Sequence, residues 1–205
     1  MSLDGTYIGL QASVADWLHR ADLTAVIPDF IAIAESRIAR DLRLRRMVST
    51  TTLSTVAGTQ TVTLPTNYLE VENTSVLTSI ERNLVYINIE AMNVKYPSGS
   101  ASGTPVAYTL EGDSILFGPI PDAVYSISFL YYAKIAALSD TPTNWLLTNH
   151  PGVYLFGALA EAADYTQNEA GAAKWEAKYQ QAIKKLQDED DKSMFSGSAL
   201  RVRNL

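Results

Sequence analysis

The residues able to do chemistry at neutral pH are few and poorly arranged for it. His19 and His150 are the only two histidines, and the chain has no cysteine. Nucleophilic catalysis needs a hydroxyl or thiol beside a base. No serine stands in a nucleophile-elbow setting, and no thiol exists to pair with either imidazole. The two histidines read as structural or surface residues, and without thiolates they do not make a zinc site. Among the 22 acidic residues, Glu70, Glu72, Glu111 and Asp113 fall on or beside predicted strands and turns, where solvated carboxylates are expected rather than a glycosidase pair. The loop at 98–104 has Gly99 and Gly103 but lacks the lysine and helix start of a phosphate-binding loop. The expectation is a protein with no catalytic residue, no cofactor and no metal ligand.

Recognition is better represented. Arg37, Arg40, Arg43, Arg45 and Arg46 crowd one predicted helix. They read either as phosphate contacts or as a solvated face with intrahelical pairs, Glu35 with nearby arginines and Asp41 with Arg37 or Arg45. The second reading is favoured, because no aromatic or glycine-rich partner accompanies them. An acidic neighbouring subunit would suit the same cluster. Tyr125, Phe129, Tyr131 and Tyr132 crowd one predicted strand, whose alternation sends one side to the core and leaves Tyr131 or Tyr132 for a contact surface. At the end, SMFSGSALRVRNL at 193–205 has a Gly-Ser break and then Leu200 and Val202 alternating with Arg201 and Arg203 before Leu205. It reads as a tail that orders against a partner.

The elements that must position these residues follow from spacing and punctuation. Ser13 and Asp16 have capping-box spacing and predict a short helix running to about Arg20. Ile27, Ile31, Ala34, Ile38 and Leu42 recur at spacings of four, three, four and four, predicting a second helix from about 24–28 to Arg45. From Val48 the pattern becomes short β-branched runs at 49–56, 60–64, 68–77, 84–89, 106–110, 115–117 and 125–132. These are separated by turn residues, with one helical turn at 89–96 and a flexible loop at 97–105. They read as antiparallel hairpins. A third helix starts at 148–151 on Thr148 or Asn149 and Pro151, is apolar almost all round, and has Gly157, Ala158, Ala162 and Ala163 to admit a close neighbour. Asn168 restarts a fourth, with Trp175, Tyr179, Ala182, Ile183 and Leu186 as its stripe. The acidic run 188–191 opposes the helix dipole and is expected to end it.

The fold class expected is α+β: a helical bundle framework at 1–47 and 141–192, an inserted antiparallel β domain at 48–140 as a small sandwich or open barrel, and an extended tail at 193–205. With 205 residues, 47 % of them hydrophobic, the chain can bury a proper core. The net charge of −6 argues against a protein that coats nucleic acid, whose affinity comes from neutralising phosphates. No basic segment precedes an apolar run, so neither a secretory signal nor a membrane anchor is expected.

Taken together, LPTNYLEV at 64–71, YTLEG at 108–112 leading to Leu116, Pro119, Pro121 and Asp122, LYYA at 130–133, PTNWLLT at 142–148 and YLFGALAEA at 154–162 resemble the head-to-tail adaptor proteins of tailed bacteriophages. SVADWLHR at 13–20 and ESRIARDL at 35–42 fit the same family. The resemblance implies a structural, non-enzymatic protein of the virion head-tail junction, assembled in the host cytoplasm. It implies a ring, usually of twelve copies, below the portal protein, seating a tail or nozzle protein and passing DNA without specific binding. It further implies a chain end that contacts the portal, with Leu200, Val202 and Leu205 buried in a portal groove and Arg201 and Arg203 flanking. For contacts between copies the candidates are Arg37, Arg40, Arg43, Tyr131 and Tyr132. The rival readings are a DNA-binding packaging accessory and a glycan-binding tail module.

Overall fold

In the computed structural model, which describes residues 3–195 apart from 98, 100 and 101, helices and strands segregate along the chain into an α+β protein. Two units result: Met1–Arg45 with Ile135–Leu205, which is helical, and Arg46–Lys134, which carries the strands.

The helical unit is built around α5, Pro151–Tyr165. Val153, Tyr154, Leu155, Ala158, Leu159 and Ala162 are all buried, as a helix apolar on every side requires. It packs on α1 (Tyr7–Leu18), α2 (Ile27–Asp41), α4 (Trp145–Asn149) and α6 (Glu169–Phe195). Gly157 permits a close approach between helices. A Cβ there would stand 3.1 Å from the Ala34 Cβ of α2 and 3.4 Å from the Tyr179 ring of α6. The α2 stripe is buried as its spacing predicts, with Ile27, Ile31, Ala34, Ile38 and Leu42 all at or below 2 % exposure.

Several helix ends differ from expectation. The cap of α1 lies seven residues before the Ser13 expected from the capping-box spacing: it is Thr6, its Oγ1 accepting the Gly9 N–H at 3.0 Å. Ser13 instead lies buried inside the helix, donating to the Gly9 carbonyl at 2.8 Å, the back-bonding that small hydroxyl residues adopt mid-helix. α2 stops at Asp41 rather than Arg45, because Arg43 turns Nη1 onto the Ala39 and Leu42 carbonyls at 2.8 and 2.7 Å and satisfies the helix end. The helix expected to start at 148–151 is α5, beginning at Pro151, but neither Thr148 nor Asn149 caps it: His150 precedes it with no side-chain cap bond, and the separate α4 is capped by Asn144. Its Oδ1 accepts the Leu147 N–H at 2.9 Å, and its Nδ2 donates to the Ala136 carbonyl and the Tyr154 hydroxyl at 2.9 and 2.8 Å. α6 runs through the acidic segment to Phe195. Asp190 there receives the Arg45 N–H and Nε at 3.1 and 3.2 Å, and Lys192 occupies the last turn. Such contacts outweigh a dipole penalty of roughly 0.3–1 kcal/mol.

The β unit has two four-stranded sheets. The first orders β1 (Val48–Ser54), β8 (Ser126–Ala133), β3 (Tyr68–Leu77) and β4 (Arg82–Asn83). The second orders β2 (Thr61–Thr63), β7 (Ser114–Gly118), β6 (Ala107–Glu111) and β5 (Val85–Tyr86). A single core cluster draws on both, with Val76, Ile127 and Phe129 from one and Tyr108, Ile115 and Phe117 from the other. The unit is therefore a sandwich. Hairpin pairing holds for β3–β4 and for β6–β7, whose turn is Gly112 at φ +55° with Asp113. Elsewhere it fails: β1 and β3 both pair with β8, β2 pairs with β7, and β5 runs parallel to β6. The helical turn expected near 89–96 is α3, Ile89–Lys95, capped by Asn88. Among the described residues no helix is long and apolar enough to cross a membrane.

Candidate functional site

The arginines of α2 tie helices together. Arg37 reaches α5 and α6 at once: Nη1 donates to Glu161 Oε1 at 2.7 Å, and Nη2 donates to both oxygens of Glu176 at 2.7 and 2.6 Å. Its guanidinium lies 4.5 Å from the centre of the Tyr179 ring, whose hydroxyl donates to Asp41 Oδ2 at 3.0 Å. Gln180 adds an amide to Glu176 at 2.9 Å. The planar fork of arginine fits this double carboxylate recognition as lysine would not. Burial works against the Arg37 charge, but the Glu176 and Glu161 bonds outweigh it and hold the guanidinium's pKa above its usual value. Burial likewise pushes the Glu176 carboxyl up, yet the Arg37 and Gln180 bonds and the Arg37 charge bring it net below the ordinary range. Tyr179 is raised, by burial first and by the Asp41 carboxylate second.

The intrahelical pairs expected on α2 are thus replaced by bonds between elements. Glu35 accepts the Leu138 N–H at 2.8 Å, Asp41 serves Tyr179, and Arg45 serves Asp190. Arg40 is exposed. Asp164 lies on the surface beside Glu161 and Glu176, and with Arg37, Ala160 and Ala172 these three carboxylates line a hollow of about 370 Å³. Three acids against one guanidinium leave it negative.

A second cluster involves the other flank of α6. Trp17 of α1, Phe156 of α5 and Trp175 of α6 meet with ring centres 5.4 to 6.3 Å apart, Phe156 and Trp175 being stacked. Lys174 Nζ lies 4.4 Å from the Trp175 ring centre, and Lys178 Nζ lies 4.9 Å from Trp175 and 5.3 Å from Phe156. The three rings are only partly buried. Trp175, expected in the apolar stripe of its helix, packs there on Phe156 and also carries the cations of this aromatic patch. The signal in the sequence was Lys174 and Lys178 placed to lie over the ring of Trp175; the partner Trp17 was not readable, being more than 150 residues away.

The remaining candidates fall variously. Tyr131 is 4 % exposed and belongs to the core of the β unit, stacked on Phe129 at 5.2 Å with its hydroxyl donating to Asn67 Oδ1 at 2.9 Å. It is thereby withdrawn from any contact surface, because alternation along β8 turns it inward with Ile127 and Phe129. Tyr132, on the opposite face, is half-buried. Leu200, Arg201, Val202, Arg203 and Leu205 lie outside the described residues. His19 closes α1 in the left-handed conformation at φ 53°, and His150 joins α4 to α5. Among the described residues no group of three or more His, Cys, Asp or Glu side chains could hold a metal ion. What the helical unit offers chemically is recognition: an acidic hollow and a cationic aromatic patch.

A sequence profile of the SU10 adaptor protein family matches residues 5–203. No curated protein matches the chain.

Proposed function

The chain belongs to the SU10 adaptor proteins, a family of head-to-tail adaptors of tailed bacteriophages, and from that premise we propose that it is a structural ring component seated between portal and tail. In this reading, copies of the chain, twelve by the family resemblance, form a ring below the portal protein that extends the DNA channel and provides the seat for a tail or nozzle protein. The protein works without catalysis, passes DNA without specific binding, is assembled in the host cytoplasm and ends in the virion at the head-tail junction. The last residues make the portal contact, Leu200, Val202 and Leu205 entering an apolar groove while Arg201 and Arg203 flank it.

The observation that carries this reading is the family match over 5–203, which spans both units and reaches into the tail. The structure supports it in a second way. The arginines that would have suggested a DNA-binding accessory are engaged with carboxylates and carbonyls of the chain itself at Arg37, Arg43 and Arg45, so the stretch is poorly placed to grip phosphates. Light scattering on the purified protein, alone and mixed with its cognate portal, tests the proposal. A defined ring mass on the portal is expected, and deletion after Gly197 should abolish portal binding while leaving the circular dichroism unchanged. No association with the portal under any condition would refute it.

A further inference from the structure

We propose that neighbouring copies of this chain pack flank to flank through their helical units, the Trp17, Phe156 and Trp175 patch of one copy seated against the Glu161, Asp164 and Glu176 hollow of the next. The inference rests on the ring reading above and supplies the contact that reading lacks.

Three observations carry it. The first is charge. The patch presents Lys174 and Lys178 over its rings, while the hollow holds three carboxylates against the single Arg37 guanidinium. Opposed fields of this kind steer association and fix register. The second is apolar surface left in water beside each half. Partly exposed tryptophans are the residues most often found as interface anchors. Next to residues that line the hollow, Ile33, one turn before Arg37 on α2, is 47 % exposed, and Tyr165, following Asp164, is 61 % exposed with its ring packed on Phe30 at 5.3 Å.

The third is placement. At about 100° per residue, Glu176 stands about 200° round α6 from both Lys174 and Lys178, so the two surfaces occupy opposite flanks of one helix. A contact between opposite flanks is heterologous, and each copy keeps one half free for the next, which is what a ring requires and a two-fold dimer does not. The halves also lie at one level of α6, around 172–178, so successive copies need no displacement along that helix. A repeat without such displacement favours closure over a spiral.

The absence of cysteine from the chain makes disulfide trapping a clean test. The full-length variant carrying Lys174→Cys and Asp164→Cys is mixed with the cognate portal and oxidised, and its mass is followed by light scattering. Both positions are exposed, Lys174 at the aromatic patch and Asp164 at the hollow, so in the proposed contact a bond between them joins two copies. The expected result is a thiol-reversible ladder of dimers, trimers and larger species on a non-reducing gel, with each single-cysteine variant stopping at the dimer. A second pair, Lys174→Cys with Tyr165→Cys, samples the same contact should the first variant fail to fold. A ring mass with no ladder from either pair overturns this contact and leaves the ring reading standing. The absence of a ring mass with the wild-type chain on the portal overturns both.

Discussion

Replacing Arg37 by methionine is expected to destabilise the helical unit by about 2–3 kcal/mol. The guanidinium makes three charge-assisted bonds of 2.6 to 2.7 Å to carboxylates on two other helices and covers the Tyr179 ring. Removing one partner of a buried ion pair costs about 3–5 kcal/mol, chiefly because the other charges are left behind. Here the figure is reduced, since Glu176 keeps 41 % of its side chain in water and Glu161 keeps 20 %. Methionine preserves most of the apolar stem, so the measured loss reports the charge. In a chain of this size each kcal/mol moves the melting midpoint by roughly 2–4 °C, giving a fall of roughly 4–12 °C in the helical signal at 222 nm. Removing the negative charges as well, in Arg37→Met with Glu161→Gln and Glu176→Gln, should recover more than half the loss, as neutral amides tolerate one another. The pH dependence follows from Glu176, whose folded-state pKa is held below its ordinary value. Stability from such a group is present above the unfolded carboxylate pKa and disappears as pH falls through the lowered one. The gap between wild type and Arg37→Met should therefore narrow on acidification through that range. A single variant within about 0.5 kcal/mol of wild type, or a triple variant as unstable as the single, would refute the reasoning, since a loss that small is the scale of an exposed surface pair.

Three further outcomes are expected. Gly157→Val should cost roughly 1–3 kcal/mol by forcing α5 away from Ala34 and Tyr179, read as a lower urea midpoint. Asn144→Ala removes the α4 cap and two further bonds, to the Ala136 carbonyl and the Tyr154 hydroxyl, and should cost about 2–3 kcal/mol by the same assay. Glu35 has its pKa raised, by burial first, with the Leu138 N–H opposing and the Asp140 charge adding. For a carboxyl raised in the folded state, stability is greatest at low pH and is lost as pH rises through the folded value. Glu35→Gln, able to keep the Leu138 bond, should be at least as stable as wild type at neutral pH and should show a flatter pH profile as pH rises above the ordinary carboxylate range.

What the sequence revealed depended on how far apart the interacting residues stand. The α2 stripe could be read because a helix carries its own period, and β3 appears over the same 68–77 run that its β-branched and aromatic residues mark. Strand pairing could not be read, since β1 finds β8 more than seventy residues on and nothing within either strand names its partner. The same limit applies at the candidate surfaces. Arg37 looks like one of several solvated arginines until Glu161 and Glu176 are brought to it across 124 and 139 residues. Local rules also lost to tertiary ones at helix ends. The dipole argument for stopping α6 near 188 was overruled by Arg45 reaching Asp190 from another part of the unit, and the capping box at Ser13 by an earlier cap at Thr6.

Imaging the complex of this protein with its cognate portal by electron cryomicroscopy tests the central claim most directly. The account predicts a closed ring of copies, coaxial with the portal and open at its centre, with helical units of adjacent copies in contact. Single copies scattered on the portal surface, or an open filament in place of a ring, would contradict it.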